Sequence, residues 1–129
     1  MTNESQRIGG SPLSFAQEAL WFIEQFNPGN CAYNISTAIR LAGPLNVAAL
    51  EKSLGEIMRR HEALRTTFGW VDENPVQVIT APTAFCLPLI DLSVLPPGQR
   101  AERTEEVASQ EARSPFDLTK GPLFRATLV

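Results

Sequence analysis

Cysteine and histidine are scarce in this sequence. Cys31, Cys86 and His61 are the only residues of these two types among 129 residues. The two cysteines lack CxxC spacing and neighbouring ligands, so neither a metal site nor dithiol chemistry is expected. No cofactor-binding motif is present either. The favoured interpretation is two free thiols in a cytoplasmic protein, with a structural disulfide as the alternative.

Long apolar runs and an excess of basic charge are also missing. No stretch approaches the roughly 20 apolar residues that cross a bilayer, and residues 1–10 lack the apolar middle of a signal peptide. Eleven basic residues are outnumbered by fourteen acidic ones, for a net charge of -3. Phosphate binding needs a concentrated basic surface. We therefore expect no membrane and no nucleic acid among the partners.

What remains is an ordinary globular composition, with 43% hydrophobic and 19% charged residues. A chain of this length forms at most one small domain. Residues 1–10 are polar and are predicted to be a flexible lead-in, and residues 11–129 carry the pattern of secondary structure.

Three helices are predicted. Ser14 and Gln17 fit a capping box that opens the first helix, which runs to Phe26. At 100° steps its apolar residues share one arc and Trp21 falls in the polar arc. Asn46 caps a second helix from 47 to 62, and a third covers about 99–113. The apolar arc of the first helix contains Phe15, Ala16, Ala19, Leu20, Phe22, Ile23 and Phe26.

Strands are predicted where apolar and polar residues alternate. The alternation covers residues 33–41, and residues 65–71 and 76–79 flank turn residues as in a hairpin. Residues 124–128 also alternate and reach the end of the sequence, which suggests that the chain stops within a sheet. The pattern as a whole predicts an incomplete α/β (α+β) fold with a mixed sheet and helices packed on it.

Candidate chemistry is limited. His61 falls in the apolar stripe of the second helix, so we expect a buried core histidine rather than a general base. Glu62 points about 100° away from it on a helix and is a poor orienting group. No nucleophile elbow, phosphate-binding loop or zinc motif occurs. The sequence alone supplies no complete catalytic site.

Arg60 and Arg65 lie at the end of the second helix. One interpretation is a favourable interaction with the negative helix terminus. The other is that one guanidinium projects beside the core toward an acid, since a buried arginine without a partner is costly. We find no evident acid for this role in the sequence, and therefore expect it to come from elsewhere.

Two stretches resemble known motifs. Residues 14–22, with Ser14, Gln17 and Trp21 at fixed positions, are similar to the first core motif of condensation domains in nonribosomal peptide synthetases, SxAQxRLWxL. Residues 60–68 are similar to the second, RHExLRTxF, and include Arg60, His61, Glu62 and Arg65. The resemblance extends over residues 12–129. Ala19 stands where the family usually has arginine.

The resemblance implies part of a chloramphenicol-acetyltransferase-like lobe. It implies a domain that joins an aminoacyl or peptidyl thioester to an aminoacyl acceptor, both delivered on phosphopantetheine arms. The implied partners are the remainder of the condensation domain, peptidyl carrier proteins and adenylation domains. In the family, the aspartate of an HHxxxDG motif pairs with an arginine of the second motif, and Arg65 is the better match than Arg60.

HHxxxDG is absent from these residues, so the chain by itself is expected to be inactive. Trp21, with its position in a polar arc, is expected to contact parts of the parent domain beyond Val129. Two alternatives stay open. One is a sister acyltransferase for epimerisation, heterocyclisation or ester formation, and the other is a non-catalytic module that docks a carrier or synthetase partner.

Overall fold

The structure, a computed structural model, describes residues 10–129, so most of the predicted lead-in lies outside the described residues. Within these described residues, three α-helices, one short 3₁₀-helix and three strands form in chain order. They are β1 (Ser11–Pro12), α1 (Phe15–Phe26), α2 (Val47–Arg60), the 3₁₀-helix Glu62–Arg65, β2 (Thr66–Val71), β3 (Asn74–Ile79) and α3 (Pro97–Arg113).

The strands form one sheet in the order β1-β3-β2, and both pairs are antiparallel. The predicted hairpin is confirmed as β2 and β3, with Asp72 and Glu73 as its turn. Both turn residues have positive φ, 47° and 64°, as a two-residue type I′ turn requires. β3 begins at Asn74, because so tight a turn lets pairing start two residues before the predicted position.

The helix starts follow the local sequence. The Ser14 hydroxyl accepts from the backbone N–H of Gln17, and the Gln17 side chain accepts from the Ser14 N–H, which completes the predicted capping box. The Asn46 side chain accepts from the Ala49 N–H at 2.9 Å and caps α2. These bonds satisfy amides that a helix leaves unpaired at its first turn, so the helix starts were predictable from neighbouring residues alone.

The predicted orientation of α1 is wrong. Trp21, placed in the polar arc, is 4% exposed and belongs to the core, while Phe15, Phe22 and Phe26 of the apolar arc are 88%, 62% and 76% exposed. Periodicity identifies residues that share a face of a helix but not the face that meets the sheet. Here α1 contacts the hairpin through the arc that contains Gln17 and Trp21.

Two predicted strands do not form among the described residues. Residues 33–41 have no helix or strand, and the 124–128 segment makes only one isolated parallel bridge, Leu89 with Leu128. A strand needs a neighbouring backbone with which to pair. Residues 10–129 supply that neighbour for β1, β2 and β3, give residues 124–128 a single bridge, and give residues 33–41 no strand partner.

The buried core of the described residues is small. No side chain in it falls below 2% exposure. In α3, Val107 is buried, whereas Ala101, Thr104 and Ala108 are exposed. The core residues are Leu13, Trp21, Met58, Val76, Leu87 and Val107. None of the described helices is long and apolar enough to span a bilayer.

Candidate functional site

The second motif, residues 60–68, forms the passage from α2 into β2. Arg60 ends α2, His61 caps it, and the 3₁₀-helix Glu62–Arg65 leads directly into β2 at Thr66. The Thr66 hydroxyl donates to the Glu62 carbonyl at 2.8 Å, and Thr66 and Thr67 are both buried. The first carbonyl of the 3₁₀-helix therefore accepts a hydrogen bond from the first residue of β2, and this bond ties the 3₁₀-helix to the start of the strand.

Arg65 is held between this turn and the end of β3. Its carbonyl accepts from both the N–H and the hydroxyl of Thr80, at 3.0 and 2.9 Å, and its guanidinium donates back to the Thr80 carbonyl. The Arg65 side chain is 15% exposed. Hydrogen bonds from both the backbone and the side chain of Thr80 therefore position this residue.

The Arg65 guanidinium is incompletely paired. Within residues 10–129, the carboxylate nearest to it belongs to Glu62, at 3.3 Å from one terminal nitrogen, and the Glu62 side chain is 62% exposed. The Arg65 Nε is buried and has no hydrogen-bond partner among those residues. A buried donor of a charged group without an acceptor costs free energy, so the site has capacity for one more acceptor.

A cavity of about 190 Å³ lies beside Arg65. Arg59, Lys120 and Arg65 contribute cations to its wall, and Met58 and Pro122 contribute apolar surface. Arg59 is already bound to Glu56 through two contacts of 2.7 and 2.8 Å. Lys120 is bound to an acid of its own loop, Asp117, at 2.9 Å. Of the three cations in this wall, Arg65 has the longest ion-pair distance, 3.3 Å.

Arg60 differs from Arg65 in its surroundings. Its Nε contacts Glu56 at 2.6 Å on the surface of α2, and its side chain is 67% exposed. Hydrogen bonds from Arg59 and then Arg60 lower the pKa of Glu56 to about 2. The sequence showed no evident acid for these arginines, whereas Glu56 pairs with Arg60 and Glu62 with Arg65. That a further acid for Arg65 comes from elsewhere stays a prediction. Intrahelical spacing of three and four residues makes the Glu56 pairs, and the 3₁₀ turn brings Glu62 to Arg65.

His61 is not a core residue, and that prediction is wrong. It lies exposed at the C-cap of α2, one position after the last helical residue, where the chain leaves the helical path and the apolar periodicity no longer applies. Its side chain makes no hydrogen bond within residues 10–129, so no described carboxylate orients its imidazole. Glu62 beside it pairs with Arg65 instead.

The first motif is joined to the hairpin by hydrogen bonds. The Gln17 side chain donates to the Gln77 side chain at 3.3 Å, and Gln77 donates to the Pro12 carbonyl at 3.1 Å. Ser14 takes part through the capping box. One polar chain thus connects the start of α1, the central strand β3 and the short strand β1.

Trp21 joins the same helix to the second motif. Its ring centroid lies 6.0 Å from that of Phe68 and 5.9 Å from that of Trp70, both tilted, within the usual range for favourable aromatic pairs. Phe68 and Gln77 are direct cross-strand partners in the hairpin. Gln17 and Trp21 lie one helical turn apart on α1. They therefore contact the two residues of one cross-strand pair, Gln17 contacting Gln77 and Trp21 contacting Phe68. The expectation that Trp21 reaches residues beyond Val129 is wrong.

Sequence reasoning missed Thr80, Gln77 and Trp70. Nothing in their local pattern marks them, because each acts through a contact across the hairpin. The observed register of the hairpin is what relates them to the motifs. It pairs Phe68 with Gln77 and Trp70 with Pro75, and places the residue after β3 opposite Arg65.

Within residues 10–129, the second motif and the end of β3 hold one guanidinium in place. Within residues 10–129 no three His, Cys, Asp or Glu residues lie close enough to hold a metal ion. Cys31 and Cys86 are free thiols, as the sequence favoured. The described residues position one partly paired guanidinium beside a cavity, and α1 packs on the hairpin that follows it. They can orient a group that another segment supplies.

Comparison with known proteins gives one family throughout. A family model described as "Condensation domain" matches residues 8–129. A protein of the linear gramicidin synthase of Brevibacillus parabrevis is 49% identical over 118 residues, covering 92% of this chain and 2% of that protein. Chondramide synthase cmdD of Chondromyces crocatus is 45% identical over 118 residues, with 92% and 3% covered. Phosphinothricin tripeptide synthetase PhsC of Streptomyces viridochromogenes is 40% identical over 121 residues, with 94% and 11% covered.

Solved structures agree in fold. The starter condensation domain of rhizomide synthetase RzmA superposes with a TM-score of 0.67 at 28% identity, covering 90% of this chain and 29% of that one. The first condensation domain of the CDA synthetase gives a TM-score of 0.74 at 23% identity, with 88% and 30% covered, and this likeness concerns the fold alone. The chain therefore spans under a third of the solved domains it matches.

Proposed function

Because this chain belongs to the condensation-domain family of nonribosomal peptide synthetases, we propose that it forms the N-terminal part of a domain that makes peptide bonds. The whole domain would join a carrier-bound aminoacyl or peptidyl thioester to the amine of a carrier-bound aminoacyl acceptor. The amine attacks the thioester carbonyl, an amide bond forms as the C–S bond breaks, and the sulfur stays on the donor's phosphopantetheine arm as a thiol that takes up the proton lost by the amine. The residues of this chain would keep the parts of the domain around the reacting groups in position.

The observation that carries the proposal is the contact between the two motifs. Trp21 of the first motif packs on Phe68 of the second, and Gln17 binds the cross-strand partner of Phe68. Motif residues that hold each other in place explain why both patterns occur in a segment without a base. The residue after the hairpin then fixes Arg65.

Arg65 is the proposed support for the reacting groups. Its unpartnered Nε and weak ion pair leave room for a carboxylate from chain beyond residue 129. The aspartate of the HHxxxDG motif, which the family resemblance implies, has the required chemistry, since a planar guanidinium binds a carboxylate through two parallel hydrogen bonds. Arg60 is exposed and already bound to Glu56, which makes Arg65 the better candidate.

The proposal also covers partners and location. Donor and acceptor would arrive on phosphopantetheine arms of peptidyl carrier proteins, in a cytoplasmic assembly line that contains adenylation domains. The relatives named above are large synthetases, of which this chain matches 2% to 11%. His61 is exposed and has no orienting acid among residues 10–129, so we expect no turnover by this chain without the rest of its domain.

A comparison of two arginine variants tests this proposal. In a condensation domain that contains this chain, Arg65→Ala should lower the rate of peptide-bond formation between two loaded carrier proteins by about 100-fold, the effect of a small misplacement of catalytic groups. Arg60→Ala is the matched control and should retain near-parental activity, because its ion pair lies on the surface. Product formation is followed by mass spectrometry.

A third variant separates positioning from folding. Arg65→Lys keeps the charge but loses the planar fork, so it should fold with an unchanged thermal midpoint to within a few degrees and still lose most of the rate. Equal activity of the Arg65→Ala and Arg60→Ala domains would remove Arg65 from the proposed role. A folded, carrier-loaded parental domain that makes no amide would contradict the function itself.

A further inference from the structure

Arg125 lies well beyond the end of α3 in sequence, yet its guanidinium donates back to that end. It donates to the carbonyls of Ser114 and Pro115 at 2.7 and 2.9 Å, and to that of Glu111 at 3.3 Å. A helix leaves its last carbonyls without intrahelical partners, and a basic side chain is a favourable partner for them. Arg125 therefore joins two parts of the chain that a loop separates.

Further contacts fix the orientation of this guanidinium. Its central carbon lies 3.9 Å from the centroid of the Phe116 ring, a cation–π geometry. Its Nε faces the Glu111 Oε2 at 3.4 Å, which is within ion-pair range but not aligned for a hydrogen bond. A planar fork of several donors makes all these contacts at once, whereas the compact ammonium of lysine does not.

The segment that Arg125 closes, residues 115–125, is packed on itself. The Asp117 carboxylate accepts from the N–H and the hydroxyl of Thr119 at 3.0 and 2.6 Å, and pairs with Lys120 at 2.9 Å. A compact loop with joined ends and internal contacts is the pattern of an Ω-loop. Because this 115–125 loop is braced internally, the contacts at its ends also limit the position of its far side.

The far side of the 115–125 loop lies against the second motif. The Leu118 carbonyl accepts from the N–H of Phe68 at 2.8 Å, and Phe68 belongs to β2, an edge strand of the described sheet. Gly121 comes so close that an added Cβ would lie 2.7 Å from the Thr67 Cγ2. The loop therefore contacts two consecutive residues of the motif.

The same side of the loop lines the cavity of about 190 Å³ beside Arg65, through Lys120, Gly121 and Pro122. We propose that Arg125 is a positioning residue for peptide-bond formation. By holding the ends of the 115–125 loop, it fixes the wall of the cavity next to Arg65. This inference rests on the proposed function, since it assigns Arg125 a part in the same reaction.

A simpler role for Arg125 would be to stabilise α3 alone. The end of α3 has a second cap, however, because the Asn34 side chain donates to the carbonyls of Ala112 and Ser114 at 3.2 and 2.8 Å. The contacts of Arg125 with Pro115 and Phe116 lie in the loop rather than in the helix. These contacts favour a role in holding the loop.

Hydrogen exchange followed by mass spectrometry measures the hold on the loop, in a whole condensation domain that contains this chain. The Phe68 amide reports it, because its hydrogen bond runs to Leu118 of the loop. In the Arg125→Lys domain we expect this amide to exchange about 10-fold faster than in the parental domain. Unchanged protection of the Phe68 amide would show that the loop is held without Arg125 and would overturn the inference.

The rate of peptide-bond formation between two loaded carrier proteins tests the positioning role. Arg125→Lys should lower this rate about 10-fold at an unchanged thermal midpoint to within a few degrees, since a displacement of about 1 Å costs about 100-fold. Arg103→Ala is the matched control and should keep the parental rate. Arg103 pairs with Glu106 at 2.7 Å on the surface of α3 and has no contact with the loop. A parental rate in the Arg125→Lys domain would overturn the proposal.

A double-mutant cycle separates positioning from general stabilisation. If Arg125 acts through the cavity beside Arg65, adding Arg125→Lys to an Arg65→Lys domain should cost less than about 3-fold further in rate, because coupled residues are not additive. Product is accumulated over hours and measured by mass spectrometry. A full further loss of about 10-fold would make Arg125 independent of Arg65 and contradict the proposal.

The two hypotheses fail separately. A domain that forms amides at the same rate with Arg125→Lys contradicts the positioning role and leaves the proposed function intact. A folded parental domain that forms no amide contradicts the proposed function, and faster exchange at Phe68 in the Arg125→Lys variant would still support the hold of Arg125 on the loop.

Discussion

Trp21 shows how a single side chain decides the orientation of a helix. Helical periodicity groups Phe15, Phe22 and Phe26 on one arc and assigns Trp21 to the other, and this grouping is correct as geometry. The assignment of the inner face is wrong, because Phe68 and Trp70 on the hairpin offer Trp21 two aromatic contacts. Residue identity and spacing predicted the motif, but the partner across the hairpin decided the packing.

Trp21 and Phe22 are adjacent residues with opposite expected effects. Trp21→Ala should destabilise the fold by about 3–5 kcal/mol, the usual cost of deleting a buried large aromatic. Phe22→Ala should stay within about 0.5 kcal/mol in the chain alone, since Phe22 is 62% exposed. Urea unfolding monitored by circular dichroism gives both values.

Trp21→Phe refines the same measurement. The indole Nε1 of Trp21 is buried without a hydrogen-bond partner among the described residues, so phenylalanine removes area but no hydrogen bond. We expect a loss smaller than half of that for Trp21→Ala. A larger effect of Phe22→Ala than of Trp21→Ala would restore the orientation inferred from periodicity.

Glu56 makes the stability of α2 depend on pH. Hydrogen bonds from Arg59 and Arg60 lower its pKa from 4.5 to about 2. A carboxyl with a depressed folded-state pKa stabilises fully above its unfolded value and loses that contribution as pH falls through the folded value. The thermal midpoint of the chain should therefore fall between pH 4.5 and 2, and the Glu56→Gln variant should lack that part of the fall.

The comparison must allow for a second acid. Hydrogen bonds from Thr119 and from Lys120 lower the pKa of Asp117 to about 2 as well, so the Glu56→Gln variant retains some dependence in the same window. The difference between chain and variant isolates Glu56. A difference in midpoint that is constant from neutral pH down to the folded-state pKa of Glu56 would contradict the assignment.

The secondary-structure elements that were predicted correctly are those whose stabilising contacts are local in sequence. α1, α2 and the hairpin were predictable because their caps and turn residues are local: Ser14 with Gln17, Asn46 with Ala49, and the turn residues 72 and 73. Residues 33–41 were predicted as a strand from an equally clear pattern and do not form one among residues 10–129. A strand forms only when its backbone pairs with that of a neighbouring segment. The sequence pattern of one segment therefore does not establish that a strand forms.

The hairpin turn offers a stabilising substitution. Glu73 has φ of 64°, a conformation that costs a residue with a Cβ about 1 kcal/mol and glycine almost nothing. Glu73→Gly should raise the free energy of unfolding by about 0.5–1 kcal/mol, measured by urea titration. Glu73→Ala is the control and should give no gain, because alanine keeps the steric cost.

Gly121 illustrates the reverse case. A Cβ on this residue would lie 2.7 Å from the Thr67 Cγ2, and its φ is 56°. Gly121→Ala should destabilise the chain by more than about 1 kcal/mol, through both the close contact and the backbone conformation. Gly98→Ala is the matched control, since no heavy atom lies within 4 Å of its added Cβ. Equal stability of the two variants would show that the loop at Gly121 moves away from β2 without cost.

As a whole molecule, the described part has many exposed large apolar side chains. Aromatic residues of α1 and the isoleucines of the 33–41 segment are exposed together with Trp70 and Leu89. Large exposed apolar patches mark interaction surfaces or promote aggregation. The family and the presence of both motifs were predictable from sequence. The contact of Arg65 with Thr80 was not, because it lies across the hairpin. The local pair of Arg65 with Glu62 depends on a 3₁₀-helix that the sequence pattern did not predict.

The most direct test of the proposal is peptide-bond formation between two loaded carrier proteins. It is measured side by side for residues 1–129 and for a whole condensation domain that contains them. We predict amide product from the whole domain and none above background from residues 1–129, because these supply the frame around Arg65 but no oriented base. Amide formation by residues 1–129 alone, lost on Arg65→Ala, would show that the reaction centre lies within them and would contradict the proposal.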